Sequence, residues 1–468
     1  MGRNEGSNFK KAVFFSFGQI SSQTAYQSFI LLIFTFYYAV VGINIWLVTL
    51  GYVIWAIWNA FNDPMIGYLS DRTHTRWGRR VPYIMFSFIP LAISCALLYF
   101  PPLPIGETNQ VGNFLYFLII IVIFELFYTA FDLPQTAMFP EVFMTQKERT
   151  QCNNIREIFI VIALILAFIL PGLIISSYTK ASSLGEYRLF GIIVGIIVIA
   201  GTLVFLFFAP REKKEFSEDY KKAFGFFKTI KYCLKSKSFR FYVISELCNW
   251  FVYGMLPTIV PLYAEFVLHI EDPLMISLLL GFVFISAMVF MTVLWKPLVR
   301  KLGNRKTWMI SMSVWICTLV PLMFIDNLIS GMIVFFLIGI GLSGSLFIID
   351  LVVSDIVDED EIVTGIRREA GYYGVNALIM RVSNVLVILA IGSVLSTVGW
   401  TTFAPESATS EVLFGLRVLM FIFPAIALVI AVLAIYKYPL HGERLLQVKE
   451  NQKKVHEEKK GKMEIDFS

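Results

Sequence analysis

Long apolar segments separated by short polar ones run along almost the whole chain. Twelve of them approach or exceed the roughly 20 residues that a helix needs to cross the hydrocarbon core of a membrane. Because such a segment must satisfy its backbone hydrogen bonds internally, each is predicted to be a helix. The predicted spans are 13–41, 45–69, 81–100, 114–139, 155–175, 189–208, 239–266, 274–294, 307–325, 328–353, 372–397 and 412–436.

Composition excludes a soluble protein. Of the 468 residues, 57% are hydrophobic and only 16% are charged, against about 25% charged in a soluble domain. A cytosolic enzyme, a nucleic-acid-binding module and a disordered scaffold all need a polar surface along most of the chain. The predicted class is an all-α polytopic membrane protein in contact with membrane lipid and without a nucleic-acid partner.

The 39 Lys and Arg residues fall almost entirely on one side of the predicted membrane. If both termini are cytoplasmic, the exceptions are Lys180 and Arg188 on the outer side and Arg381 and Arg417 within spans. Cytoplasmic loops of membrane proteins are enriched in Lys and Arg. We therefore predict a multi-pass protein of the plasma membrane with both termini in the cytoplasm.

The longest internal hydrophilic stretch follows the sixth span and divides the spans into six and six. Two short basic loops built around glycine, GYLSDRTHTRWGRR and KPLVRKLGNRKTW, occupy the same place in each half. Paired repeats that move about a midplane site are the plan of many transporters, although cytoplasmic loops are often basic for topological reasons alone. The predicted domains are 1–210, a cytoplasmic linker 211–238, 239–437 and a cytoplasmic tail 438–468.

The first of these loops carries more than charge. Gly67 permits close helix approach, Asp71 is placed to cap a helix or form an ion pair, and Arg79 and Arg80 are placed to bond carbonyls at helix ends. Together they predict a cytoplasmic gate that holds one conformation and releases in another. The loop resembles the signature loop of the major facilitator superfamily.

The second span contains a carboxylate that membrane insertion disfavours. Asn59 and Asp63 are four residues apart and share a helix face, and Pro64 frees backbone carbonyl oxygens beside them. These oxygens suit Na⁺, whereas a single carboxyl can carry H⁺. The alternative is a structural hydrogen-bonded pair that holds the second helix to its neighbours.

The fourth span has a polar stripe at intervals of four residues, Tyr128, Asp132 and Thr136. It is placed to complete the cation site from across the bundle. Glu125 falls on a similar face and is expected near the outer mouth. Arg156, at the start of the fifth span, is placed to reach a substrate oxygen or an acid on the fourth helix, or to act as a cytoplasmic anchor.

Two other spans offer neutral or basic groups. Gln19 and Gln23 lie on one face of the first span and suit a hydroxyl-rich ligand, or equally a helix–helix contact. The eleventh span holds Tyr373, Asn376 and Arg381, and the arginine requires an acidic partner, for which Asp63 and Asp132 are candidates. Polar residues that the sequence leaves open between a site and a structural role are Glu246, Asn249 and Asp350.

The five cysteines are scattered and none has metal-ligand spacing. The sequence also lacks a nucleophile paired with a base. We therefore expect no enzyme activity, no catalytic residues, no bound metal and no cofactor.

Three stretches carry a family resemblance: WNAFNDPMIGYLSDRTHTRWGRRVPYI, YTAFDLPQTAMFPEVFMTQKERTQCNNIR and SDIVDEDEIVTGIRREAGYYGVNALIMR. They resemble the glycoside-pentoside-hexuronide:cation symporters of the major facilitator superfamily, and more distantly the sodium-dependent lysophosphatidylcholine symporters. The resemblance implies twelve helices in two six-helix halves. It also implies alternating-access symport of a sugar, glycoside or uronide with Na⁺ or H⁺ by a functional monomer.

The resemblance also implies residue roles. Asp63 matches the second acid of the family's cation motif, and Asn59 falls where members have another acid. Asp132 matches an acid that serves both cation and sugar, Arg156 matches a sugar-contacting arginine, and Arg381 falls at a basic position. A cytoplasmic gate in the tenth-to-eleventh span region is implied at Asp355, Asp358, Arg367 and Arg368.

Two positions depart from the family pattern. Gln19 lies where many members have a sugar-binding acid, and Thr136 replaces an aromatic residue that stacks on the sugar. With one fewer acid in the second span as well, proton coupling competes with Na⁺ coupling. The alternatives are transport of a lysophospholipid by the same fold and, further away, a membrane sensor that does not transport.

Overall fold

A computed structural model of the chain describes residues 2–73, 75–143, 146–211, 231, 233–364 and 369–452. These residues form long helices joined by short connections. The first six are α1 (Gly2–Thr35), α2 (Ile45–Arg72), α3 (Val81–Leu97), α4 (Gln110–Val142), α5 (Gln146–Ile174) and α6 (Leu184–Phe208). The others are α7 (Lys237–Phe266), α8 (Pro273–Phe290), α9 (Lys296–Leu319), α10 (Leu328–Thr364), α11 (Glu369–Thr397), α12 (Ser410–Met420) and α13 (Ile422–Tyr436).

The helices coincide largely with the predicted spans, and the last span is divided into α12 and α13. In the described part of the chain, nine helical stretches are long and apolar enough to cross a membrane, and Val81–Leu97 is a shorter apolar helix. One of the nine, Pro273–Met323, is 51 residues long and covers the predicted span 274–294 and nearly all of 307–325. Its backbone bends at Gly303, where a φ of 78° is readily adopted only by glycine. The all-α architecture is thus the predicted one.

The chain forms two compact units. The first contains described residues within 1–223, 257–281 and 388–416, and the second contains those within 224–256, 282–387 and 417–468. The units do not follow span number, because the ends of the later helices around 257–281 and 388–416 pack with the first six helices. The predicted domain boundaries, which count spans, stay a prediction.

Small residues bring helices close together within each unit. In the first unit α1 packs along α5 and α6, and α3 packs on α6 where a Cβ at Gly195 would lie 2.7 Å from the Ala92 carbonyl oxygen. In the second unit α9 packs on α10, and a Cβ at Gly341 would lie 2.3 Å from Trp315 Cα. Such close packing stabilises helix association, because the hydrophobic driving force is weak between helices surrounded by lipid.

The end of the first unit that is predicted to face outside is held by contacts between its first six helices and the later segments. The Tyr38 hydroxyl donates to the Trp400 carbonyl oxygen at 2.5 Å. Gly392 on α11 approaches Thr49 on α2 so closely that a Cβ there would lie 2.7 Å from Thr49 Oγ1. We call these contacts the outer seal, together with Ile45 N to Thr401 O (2.8 Å), Tyr178 Oη to Ser277 Oγ (2.7 Å) and Thr179 Oγ1 to Glu265 Oε1 (2.6 Å).

Candidate cation and substrate site

Asp63 lies at the contact between α2 and α4. Its Oδ1 accepts a hydrogen bond of 3.0 Å from Thr129 Oγ1, and its side chain is half-buried. Thr129 is four residues after Glu125 and three before Asp132, so the three side chains belong to neighbouring turns of α4. The structure therefore places the predicted acid of α2 against the acidic stretch of α4.

Glu125 is the residue of this contact that sequence reasoning did not connect to α2. Its side chain is only 1% exposed. Asn59 Nδ2 donates to its Oε1 at 2.7 Å, Trp55 Nε1 donates to its Oε2 at 3.1 Å, and Asn62 Nδ2 donates to its backbone oxygen at 3.2 Å. The spacing of Trp55, Asn59 and Asn62 puts three donors on one face of α2, and this signal in the sequence points to an acidic partner.

The same contact leaves two buried amide oxygens without donors. Among the described residues, neither Asn59 Oδ1 nor Asn62 Oδ1 receives a hydrogen bond, although the two side chains are 1% and 0% exposed. Because the Asn59 nitrogen faces a carboxylate, its oxygen is directed away from Glu125. A buried amide oxygen without a partner is costly, and it is a ligand that a hard cation accepts. Of these two possible cation ligands, the Asn59 oxygen belongs to a residue one helical turn before Asp63, and Asn62 is the residue immediately before Asp63.

Exchanging the acid and the amide across this contact tests how they are paired. We expect Asn59→Asp to lower the free energy of unfolding by about 3–5 kcal/mol near neutral pH, because it sets a second carboxylate against the buried Glu125. Acid pH should relieve the loss, since one of the two carboxylates then takes a proton. The measurement is thermal unfolding of the purified protein in detergent at two pH values.

The double variant Asn59→Asp/Glu125→Gln is the control. It restores one acid and one amide in exchanged positions, so most of the lost stability should return, whereas Glu125→Gln alone should cost little. Losses that simply add in the double variant would show that the two side chains do not act as a pair.

On α1, the two glutamines that were predicted to share one helix face have different surroundings. Gln19 is buried, and its Nε2 donates to Gln135 Oε1 of α4 at 3.5 Å, a partner that the sequence did not indicate. Gln23 is half-buried. One turn further along, the rings of Tyr26 and Tyr128 stack with centroids 4.7 Å apart and an interplanar angle of 18°. This stack joins α1 to α4 beside the α2 contact and presents two phenolic groups.

Thr136 and Arg156 mark the other end of the α4 stripe. Thr136 is exposed. The guanidinium of Arg156 lies 4.8 Å from the ring centroid of Phe139, and the charge of Asp132 acts on it. Its buried Nε has no hydrogen-bond partner in the described part of the chain. Arg156 is thus close to an acid of α4, as the sequence predicted, and it retains a donor for a ligand.

The predicted residues of α11 lie in the second unit. Asn376 Nδ2 donates to Glu246 Oε1 of α7 at 3.0 Å, and Arg381 Nη1 donates to the Ala377 carbonyl oxygen of its own helix at 3.3 Å. The backbone of Tyr373 is helical, and its side chain lies outside the described residues. The predicted pairing of Arg381 with acids of the first unit stays a prediction.

Part of the predicted cytoplasmic gate can be described. Arg80 donates to the Ala137 carbonyl oxygen near the end of α4, the kind of helix-end contact expected for it. A Cβ at Gly67 would lie 3.5 Å from Leu133, which brings α2 and α4 close there, and Arg79 is buried. The side chain of Asp71 lies outside the described residues, as do Arg367 and Arg368. The gate itself stays a prediction.

The acidic end of α10 binds the start of the tail. Lys449 Nζ lies 2.6 Å from Asp355 Oδ1 and 2.6 Å from Asp358 Oδ2. Burial lowers the pKa of the Lys449 ammonium, but its hydrogen bonds to Asp355 and Asp358 and their charges outweigh this and raise it above the ordinary value. The ammonium therefore stays charged through the physiological pH range. Asn304 of α9 also donates to Asp355, at 2.7 Å, so the tail, α9 and α10 meet at two predicted gate residues.

The candidate site is built from single acids and neutral groups. Within the described ranges, no three His, Cys, Asp or Glu side chains converge closely enough to hold a metal ion. A cation between α2 and α4 would therefore be held by at most two carboxylates together with neutral oxygens.

Comparison with known proteins assigns the chain to a family. Residues 14–442 match the family described as MFS/sugar transport protein. A symporter of Synechocystis sp. named sll1374 and described as uncharacterized is 23% identical, covering 86% of this chain and 90% of that protein. The isoprimeverose transporter of Lactiplantibacillus pentosus is also 23% identical, covering 71% of this chain and 69% of that protein.

A solved structure shows the same fold. A bacterial homolog of the human lysosomal transporter Spinster aligns with a TM-score of 0.64 at 15% identity, over 92% of this chain and 98% of that one. Fold and relatives together define a polytopic α-helical membrane transporter of the major facilitator superfamily, and not an enzyme. The chain belongs to the MFS/sugar transport protein family, which confirms the resemblance drawn from its motifs.

Proposed function

We propose that this transporter is a symporter that couples entry of a coupling cation to uptake of a carbohydrate, either a sugar, a glycoside or a uronide. The observation that carries the proposal is the set of oxygen atoms available to a cation at the α2–α4 contact. There the Asn59 oxygen is buried without a hydrogen bond, one turn from Asp63. Relatives named as a symporter and as an isoprimeverose transporter support the same proposal.

In this proposal the cation binds at Asp63 and Asp132, with Asn59 as a neutral ligand held in place by Glu125. Neutralising these acids raises substrate affinity by a coupling free energy of about 1–3 kcal/mol. One charge crossing 100 mV contributes about 2.3 kcal/mol, which supports roughly 50-fold accumulation before any ion gradient is added. Uphill uptake with a single cation is therefore feasible.

Substrate is proposed to bind beside the cation. The groups we assign to it are Tyr128 and Gln23 of the first unit, Arg156 with its remaining donor, and the predicted α11 residues. Because Gln19 is engaged with Gln135 and Thr136 offers no ring, we expect recognition through neutral hydroxyl and amide contacts rather than through an additional acid. We also propose that the protein works as a monomer in the plasma membrane with both termini in the cytoplasm.

The test is uptake into proteoliposomes of a panel of labelled monosaccharides, glycosides and uronides. One series has an imposed Na⁺ gradient and another an imposed pH gradient at zero Na⁺. We expect one carbohydrate class to accumulate in only one of the two series. Gradient-driven uptake of a lysophospholipid without any sugar would transfer the proposal to lipid transport, and no gradient-dependent uptake of any solute would contradict symport.

A further inference from the structure

The second unit contains a buried acid outside the proposed cation site. Glu246 lies on α7, and its side chain is 0% exposed. Trp250 Nε1 donates to its Oε1 at 2.5 Å, and Asn376 Nδ2 of α11 donates to the same atom at 3.0 Å. In the described part of the chain, Oε2 receives no hydrogen bond. Both donors therefore bind one oxygen of the carboxyl group and leave the other without one.

This asymmetry is the pattern of a neutral carboxylic acid. In such a group the carbonyl oxygen accepts hydrogen bonds while the hydroxyl oxygen carries the proton. Glu125 provides the contrast within the same protein, because each of its oxygens accepts one donor, as suits an ionised carboxylate.

The neighbouring hydrogen bonds have a fixed direction. Tyr242 Oη donates its single proton to Asn376 Oδ1 at 3.0 Å, and Asn376 in turn donates to Glu246. Tyr242 thereby fixes the orientation of the Asn376 amide, whose N–H group is directed at Glu246 Oε1 and not at Oε2.

The charged surroundings are consistent with this assignment. The groups that act most strongly on Glu246 are Trp250, Asn376, Asp350 and Tyr242, and none of them is basic. Asp350 of α10 is the one acid among them, and it is exposed. A metal cation would need several oxygen ligands, whereas the groups that hydrogen-bond this carboxyl are N–H donors.

We infer that Glu246 is a proton-binding site, separate from the cation site between α2 and α4, and that it holds its proton on Oε2 in this conformation. The transporter then carries a proton in its second unit whatever cation binds in the first.

Infrared spectroscopy of the full chain in lipid nanodiscs tests this without any substrate. At neutral pH we expect the wild type to show the C=O stretching band of a carboxylic acid, and Glu246→Gln to lack it. The band should remain in Glu443→Gln, a control at an exposed residue of the tail, and in Asp63→Asn. Spectra in which Glu246→Gln loses only carboxylate bands would overturn the proposal.

A second variant keeps the test decisive if Glu246→Gln does not fold. Trp250→Phe removes one donor to Oε1 and leaves the acid in place, so the carboxylic acid band should move to higher frequency. An unmoved band, or no such band in either wild type or variant, would contradict a protonated Glu246. Because no transport is measured, the result is independent of the uptake experiment proposed above.

Discussion

Joining α2 to α11 by a disulfide across the outer seal is expected to stop transport. An ideal Cβ on Gly392 lies 3.8 Å from Thr49 Cβ, inside the 3.5–4.5 Å range of disulfide Cβ atoms. In the variant Thr49→Cys/Gly392→Cys, oxidation should therefore form the bond without large backbone movement. Alternating access requires each end of the transporter to open in turn, so a covalently closed end should reduce uptake to background, and a reductant should restore it.

The chain offers a matched control for this cross-link. Ser21 of α1 and Thr202 of α6 have hydroxyl oxygens 3.1 Å apart, so Ser21→Cys/Thr202→Cys bridges two helices among the first six and leaves the seal untouched. Both pairs are made with Cys317, the exposed cysteine of the described chain, replaced by serine. Full oxidation of the seal pair with unchanged uptake would show that the outer seal does not have to open during transport.

The helices were predictable because their signal is local. A span requires only a long apolar run, and the predicted span 45–69 agrees with α2 at Ile45–Arg72 to within three residues. The span 13–41 was predicted as well, although α1 is not among the nine helices of the described chain that are apolar enough to cross a membrane, because glutamines and serines interrupt its apolar run. The bend at Gly303 depends on a single backbone angle, and the sequence shows only a glycine there.

From the sequence, the site could be predicted only as sets of residues that share one face of a single helix. Residues four apart on a helix are about 40° out of line, so from Tyr128 to Thr136 a stripe turns by roughly 80° and its last member becomes exposed. Which faces meet depends on helix packing over long sequence distances. The contacts of Glu125 with Asn59 and of Gln135 with Gln19 are of this kind, and for that reason the sequence left Glu125 outside the predicted site.

Asp63→Asn is expected to abolish cation-driven accumulation while leaving the protein folded. Asparagine keeps an oxygen that can accept the hydrogen bond from Thr129, so the α2–α4 contact survives. The variant lacks the negative charge that a coupling cation neutralises. The roughly 50-fold accumulation that 100 mV supports for one charge should therefore fall to simple equilibration.

The measurement compares gradient-driven uptake with equilibrium exchange in proteoliposomes. Exchange between labelled and unlabelled solute requires binding and conformational change but no net cation movement, so it should persist in Asp63→Asn when driven uptake is lost. Asp326→Asn removes an acid at an exposed position between α9 and α10 and should leave both activities unchanged. Full cation-dependent accumulation by Asp63→Asn would move the cation site away from α2. The next acids to test would then be Glu125 and Asp132 on α4.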